Sequence, residues 1–223
     1  NFNLLLAGRN IKTLNSIKKK YEKKYSIKCH LIELDVMQIE KHTYFLKQLK
    51  KLNKLMPEVT ISLVGYMRSK KKSITTYSES VNEMLTNYVG PSILLELIAK
   101  ETAMSNLKST IIGVSSVAGD RGRASNYIYG SSKAGFTQFL SGLRQKYFNS
   151  NIHVMTVVPG YIDTKMTKDI NTPRIITSTA KDVAELIFSS YINKKNIVYT
   201  RYWMIIMKLI KLVPEFIFKK INL

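Results

Sequence analysis

The 223-residue sequence predicts an α/β fold with a doubly wound parallel sheet. Two observations carry this. Short apolar runs alternate along the chain with longer segments of helical period, which is the pattern of repeated βαβ units. No internal repeat and no Pro/Gly/Ser-rich linker divides the chain, so it reads as one domain.

Residues 2–7 read as a strand, 10–25 as a lysine-rich helix and 27–34 as the next strand. A helix follows over 39–52. Residues 58–64 form a buried-strand candidate, 76–104 a long helix and 109–114 a further strand. Residues 127–149 read as a helix, 152–157 as a strand, 180–193 as a helix and 196–199 as a last strand. The result is one domain over 1–199 and a distinct apolar and basic tail over 200–223.

Composition limits the function classes. Hydrophobic residues are 45% and charged residues 22%, which suits a folded core and excludes a disordered chain. The net charge is +20, from 35 Lys+Arg against 15 Asp+Glu. The cations are mostly lysines spread along the chain, and no nucleic-acid module accompanies them, so nucleic acid is not the expected partner. The lone cysteine, Cys29, excludes an intramolecular disulfide and fits a cytoplasmic setting. His30, His42 and His153 have no metal-ligand spacing, so no metal is expected.

The chemistry concentrates in Tyr129-Gly130-Ser131-Ser132-Lys133. Tyr129 and Lys133 stand four apart on a helix and share a face. An ammonium beside a phenol favours the phenolate, so the pair predicts a lowered tyrosine pKa and proton transfer near neutral pH. Ser116 ends an apolar strand thirteen residues earlier, at the carboxyl edge where open α/β sheets bind ligands.

Ser115-Ser116-Val117-Ala118-Gly119, Tyr129-x-x-x-Lys133, Val158-Pro159-Gly160-Tyr161-Ile162-Asp163-Thr164 and Asn87 in Thr86-Asn87-Tyr88-Val89-Gly90-Pro91 together resemble the short-chain dehydrogenase/reductase family. The resemblance implies a Rossmann-like fold and NAD(P)H-dependent reduction of a carbonyl. It implies that Tyr129 is the general acid/base and that Lys133 binds the nicotinamide ribose and tunes Tyr129. Ser116 would hold the substrate oxygen, and Asn87 a water behind Lys133. Pro159, Gly160, Ile162 and Thr164 would border the nicotinamide. The loop over 165–178 would cover the substrate.

The cofactor half differs from that pattern. The first apolar run resembles the family's second strand, so the first strand, glycine-rich loop and first helix of the fold are missing, and the chain reads as truncated at its N-terminus. Arg9 stands where the family reads the adenosine ribose, and an arginine there suits the 2′-phosphate of NADP(H). Asp35 matches the family's adenine contact; as a plain residue it reads equally as a helix N-cap. Gly65, in Leu63-Val64-Gly65, stands where the family usually has Asn-Ala-Gly.

The tail carries Trp203 and an apolar run broken by Lys208 and Lys211. Its length suits a peripheral membrane contact or packing on a homo- or hetero-oligomeric partner better than a membrane span. Residues 119–127, 199–203 and 212–217 are similar to a subgroup of the family, the reductase subunits of decaprenylphosphoryl-ribose 2-epimerase. That similarity implies a small or lipid-linked keto-sugar substrate at the inner face of the membrane. The alternative expectation is a catalytically silent, membrane-associated scaffold or truncated inactive fragment with the same fold.

Overall fold

The computed structural model describes residues 2–53, 56–68, 76–164, 166–168 and 171–221. The chain forms two compact units, residues 1–56 and 57–223.

In the first unit, β1 (Leu4–Gly8) and β2 (Cys29–Glu33) pair in parallel, joined by α1 (Ile11–Tyr25). The Asn10 side chain caps α1 by accepting from Thr13 N–H, and Ser26, at φ 51°, ends it in the left-handed region. Lys18 and Glu22, one turn apart on α1, grip the start of β2. Lys18 Nζ donates to the Cys29 carbonyl at 2.6 Å, and Cys29 N–H donates to Glu22 Oε1 at 3.0 Å. A 3-10 turn, Ile39–Lys41, leads into α2 (His42–Asn53), whose Phe45, Leu46 and Leu49 are buried.

The second unit is built on a four-stranded parallel sheet in the order β3-β4-β5-β8, where β3 is Val59–Ser62, β4 Ser109–Val114, β5 Ile152–Val158 and β8 Ile197–Tyr199. Alternation along the strands sends side chains to two faces. Ile112, Met155, Val157 and Val198 form one apolar cluster, which Ile187 and Tyr191 of α6 (Ala180–Ile192) cover. On α5 (Tyr127–Lys146), Phe136, Leu140 and Leu143 are buried, and Arg144 ties the helix to β5 through the Val154 carbonyl at 2.8 Å and Thr156 Oγ1 at 2.7 Å. The short strands β6 (Tyr161–Ile162) and β7 (Thr177–Ser178) pair in parallel beyond β5.

Every strand and helix expected from the sequence is present, with ends shifted by a few residues. One is interrupted. The long helix expected over 76–104 is α3 (Tyr77–Met84) and α4 (Gly90–Met104), joined by a π-helical turn at Leu85–Val89. Of the loop expected to cover the substrate, Lys165, Asp169 and Ile170 lie outside the described residues, and Arg174–Ile176 forms a 3-10 turn.

The tail folds as α7 (Trp203–Leu212) and α8 (Glu215–Phe218), within the second unit. Trp203 and Met207 are buried in a cluster with Val117 and Val158. The Trp203 indole N–H donates to the Ile176 carbonyl at 2.8 Å. It lies so close to Gly160 that any β-carbon there would collide with the ring. Arg121 caps the end of α7, donating to the carbonyls of Ile210, Lys211 and Val213, and reaches Glu215 at 2.8 Å. Its guanidinium also lies 4.1 Å from the Phe218 ring centroid. Among the described residues, no helix is long and apolar enough to cross a membrane.

Trp203→Ala is therefore expected to lower the unfolding free energy by about 3 kcal/mol in urea titration, while Leu209→Ala, on the outer side of α7, changes it by less than about 0.5 kcal/mol. Equal midpoints for the two variants would show that the tail is not part of this core.

Candidate active site

Parallel strands place their carboxyl ends on one edge of the sheet, and ligand sites of such sheets lie there. The loops that follow β3, β4 and β5 all leave from that edge. Four ties, made by side chains of these loops and of the helices between them, hold the loops together.

Lys133 is the first. It is buried, at 2% exposure, one turn beyond Tyr129 on α5. Its Nζ donates to the Val114 carbonyl at the end of β4 at 3.1 Å and to the Val64 carbonyl beyond β3 at 3.3 Å. An ammonium has three N–H donors, so these two bonds leave one free for a ligand hydroxyl. Burial pushes the Lys133 pKa down to about 8, because the charged form loses hydration that two carbonyls replace only in part.

Ser115 and Ser116 act next, just after β4. Ser115 Oγ donates to the Lys133 main-chain carbonyl at 3.0 Å and hydrogen-bonds Thr137 Oγ1 at 2.6 Å, so it fixes α5 against the strand end. Ser116 caps the 3-10 turn Val117–Gly119 by accepting from Ala118 N–H at 3.1 Å. That turn lies directly on α5. A β-carbon at Gly119 would stand 2.6 Å from the Ala134 nitrogen, so only glycine allows the approach. With the turn this close, the Ser116 hydroxyl acts on the Tyr129 phenol and favours its ionised form.

The pKa expectation for Tyr129 is corrected. Burial raises it, the Ser116 hydroxyl lowers it, and the Glu83 charge raises it further. Lys133 does not reverse the shift. Its Nζ is 6.0 Å from the tyrosine ring centroid and is occupied with the strand-end carbonyls. Desolvation, which sequence spacing does not express, is the larger effect. A raised pKa keeps the phenol protonated at neutral pH, which suits proton donation.

Asn87 is the third tie. Fully buried in the π-helical turn, it accepts from Tyr66 N–H at 2.8 Å and donates to the Tyr66 carbonyl at 2.7 Å. Both ends of its amide thus hold the loop after β3. Gly65 in that loop is close to Lys133: a β-carbon placed on it would stand 3.8 Å from Asn87 Oδ1 and 3.9 Å from Lys133 Nζ.

Glu83 is the fourth, and sequence reasoning missed it. It is 1% exposed, and its Oε1 accepts from Arg68 N–H at 2.9 Å. Its Oε2 has no hydrogen-bond partner among the described residues. The available signal was an acid one turn before Asn87. Ser115 was missed as well, because its neighbour Ser116 drew the assignment.

Beyond β5, the buried Pro159 accepts at its carbonyl from Val117 N–H at 3.0 Å, which joins the β4 and β5 loops. Gly160 N–H donates to Thr200 Oγ1 at 3.0 Å. Ile162 is half-buried, and its carbonyl accepts from the Thr167 hydroxyl; Thr164 is exposed, and its N–H donates to the same hydroxyl at 3.2 Å. Ser116, Tyr129, Lys133, Asn87, Gly65 and the Pro159–Gly160 loop all belong to the second unit. Arg9 and Asp35 belong to the first. Arg9 is exposed immediately after β1. Asp35 does not cap a helix: its Oδ1 accepts from Met37 N–H at 3.0 Å within a turn, and Gln38 holds the cap position of the 3-10 turn that follows.

The family model described as short chain dehydrogenase matches residues 1–175. An uncharacterised oxidoreductase of Mycobacterium tuberculosis is 29% identical over 157 residues, a stretch that covers 70% of this chain and 62% of that protein, less than two thirds of its length. An NADP-dependent 3-hydroxy acid dehydrogenase of Schizosaccharomyces pombe is 26% identical over 206 residues, covering 87% of this chain and 79% of that one. A short-chain dehydrogenase from Sphingobium yanoikuyae, solved in complex with NADPH, superposes with a TM-score of 0.80 at 15% identity, over 96% of this chain and 88% of that one.

The buried lysine gives a pH signature. Between about 8, where folded Lys133 loses its proton, and 10.5, the ordinary lysine value, the unfolded chain holds one proton more. Stability therefore rises with pH through that window, and below it the cost of burying the charge is fully present. Relative to Lys133→Met, the wild-type unfolding free energy is expected to rise by about 2 kcal/mol between pH ~8 and ~9.5. Urea titrations at several pH values measure this, and parallel curves for the two proteins would exclude a discharging Lys133.

Proposed function

Since the chain belongs to the short chain dehydrogenase family, we propose that it is an NAD(P)H-dependent oxidoreductase that reduces a carbonyl, with Tyr129 as its general acid. One observation carries the reading. The Ser116 hydroxyl acts on the Tyr129 phenol at the carboxyl edge of a parallel sheet, one helical turn from a buried lysine that, among the described residues, has two of its three N–H donors on main-chain carbonyls.

Each residue's part follows from its contacts. Ser116 and Tyr129 both carry hydroxyls, so a carbonyl oxygen that accepts from both is held and polarised. As that oxygen gains negative charge, Tyr129 gives it a proton, and the raised pKa ensures that the proton is present at neutral pH. Lys133 leaves a cation beside the resulting phenolate and offers its third N–H to a ribose hydroxyl. A bound reduced nicotinamide supplies the hydride. Asn87 positions the loop that holds Lys133. Through the family resemblance, it also supports a water that returns the proton to Tyr129.

The reading favours NADP(H). It is supported by Arg9 at the carboxyl end of β1, by the NADP dependence of the fission-yeast relative, and by the NADPH in the Sphingobium structure. For substrate, that relative points to 3-oxo acids, while the motif similarity over 119–127 and 199–203 points to a keto-sugar on a polyprenyl phosphate. Both belong in the assay.

Tyr129→Phe is expected to lower kcat by about 10³-fold while leaving NADPH fluorescence titration within about twofold. Nicotinamide oxidation with 3-oxo acids, bulky ketones and lipid-linked keto-sugars measures it, and turnover unaffected by the substitution would end the assignment. Arg9→Ala is expected to raise the KM for NADPH about tenfold with little change for NADH; an equal effect on the two cofactors would remove the NADP preference.

A further inference from the structure

Helix α7 is apolar on two opposite sides. Trp203, Met207 and Ile210, spaced i, i+4 and i+7, turn to the cluster around Val117 and Val158. Ile205, Leu209 and Leu212 repeat the same spacing on the other side and are 57%, 61% and 77% exposed. A helix apolar all round is ordinarily enclosed. Phe216 and Ile217 on α8 are also exposed. The face is not a loose end, because Arg121 holds α7 and α8 together through three carbonyls, Glu215 and the Phe218 ring.

The charges beside this face are mostly of one sign. Residues 200–223 contain five basic residues, Arg201, Lys208, Lys211, Lys219 and Lys220, against the single acid Glu215. Glu215 is paired with Arg121, and Lys211 with Asp120 at 3.1 Å. Arg201 is 3.3 Å from Asp182. Lys208, Lys219 and Lys220 are exposed.

We infer that the outer face of α7 and α8 docks on an anionic lipid surface, its apolar residues entering the headgroup boundary and its lysines meeting lipid phosphates. Charge favours this occupant over a second copy. A two-fold contact sets identical patches against each other, so the same lysines would meet in a chain that already carries +20. An anionic bilayer neutralises them and buries the apolar stripe in one step. No described helix is long enough to span, so the contact lies in the plane of the interface.

The test is co-sedimentation of the whole chain with vesicles of phosphatidylglycerol and phosphatidylcholine, and with phosphatidylcholine alone. Binding is expected with the anionic vesicles, weaker at high salt, and reduced at least about tenfold by Leu209→Asp with Leu212→Asp. Phe148→Asp, at an exposed residue outside these helices, should bind like wild type. Melting curves confirm folding, and the Leu209→Gln, Leu212→Gln pair replaces the aspartates should those disturb it. Equal sedimentation of wild type and either pair, or no binding to anionic vesicles, overturns the inference. So does a wild-type dimer in solution that the same substitutions dissociate, since the face would then belong to a second copy.

Discussion

The second unit is organised around one buried charge. Lys133 donates to a carbonyl beyond β3 and another at the end of β4, and its own main-chain carbonyl accepts from Ser115. The residue is therefore held from both ends, and it fixes helix α5 and two strand ends in one frame. No carboxylate among the described residues balances it within hydrogen-bonding reach, so the frame is kept at the expense of proton affinity, and the pKa falls to about 8. A folded chain tolerates such a charge where a later partner will use it. The third N–H is what remains for that partner.

The fold was legible because each strand is a short apolar run and each helix keeps its period, and burial of the runs leaves few other arrangements. The nearness of Tyr129, Lys133 and Ser116 was legible through type and spacing, while Asn87 entered through the family resemblance. The sign of the Tyr129 shift was not, because spacing counts neighbours and does not measure lost hydration. Glu83 was hidden for a similar reason: a single acid on a helix looks solvated until the chain closes over it. Arg121 was beyond reach because its partners lie some ninety positions away, where no local pattern connects them.

The tail packs against the loops that carry the candidate site. Trp203 fills the space that Gly160 leaves open and holds the 3-10 turn at Ile176. Asp120, one residue past the turn that Ser116 caps, accepts from Tyr199 at 3.1 Å and from Lys211. Stiffness in α7 thus reaches the loops after β4 and β5 through direct contacts. A segment that reads as an appendage braces the loops after β4 and β5.

The π-helical turn at Leu85–Val89 has its own consequence for how this chain tolerates change. A π turn carries one residue more than the α-helical turn it replaces. Loss of one residue there could be absorbed as ordinary helix, with every main-chain bond made. Because the turn is completed either way, the helix upstream keeps its orientation and Glu83 keeps its place opposite Arg68. What changes is the turn itself, where the extra residue sets the side chains of Thr86 and Asn87. The bulge is therefore a device that re-aims a few side chains while leaving the helix on either side undisturbed.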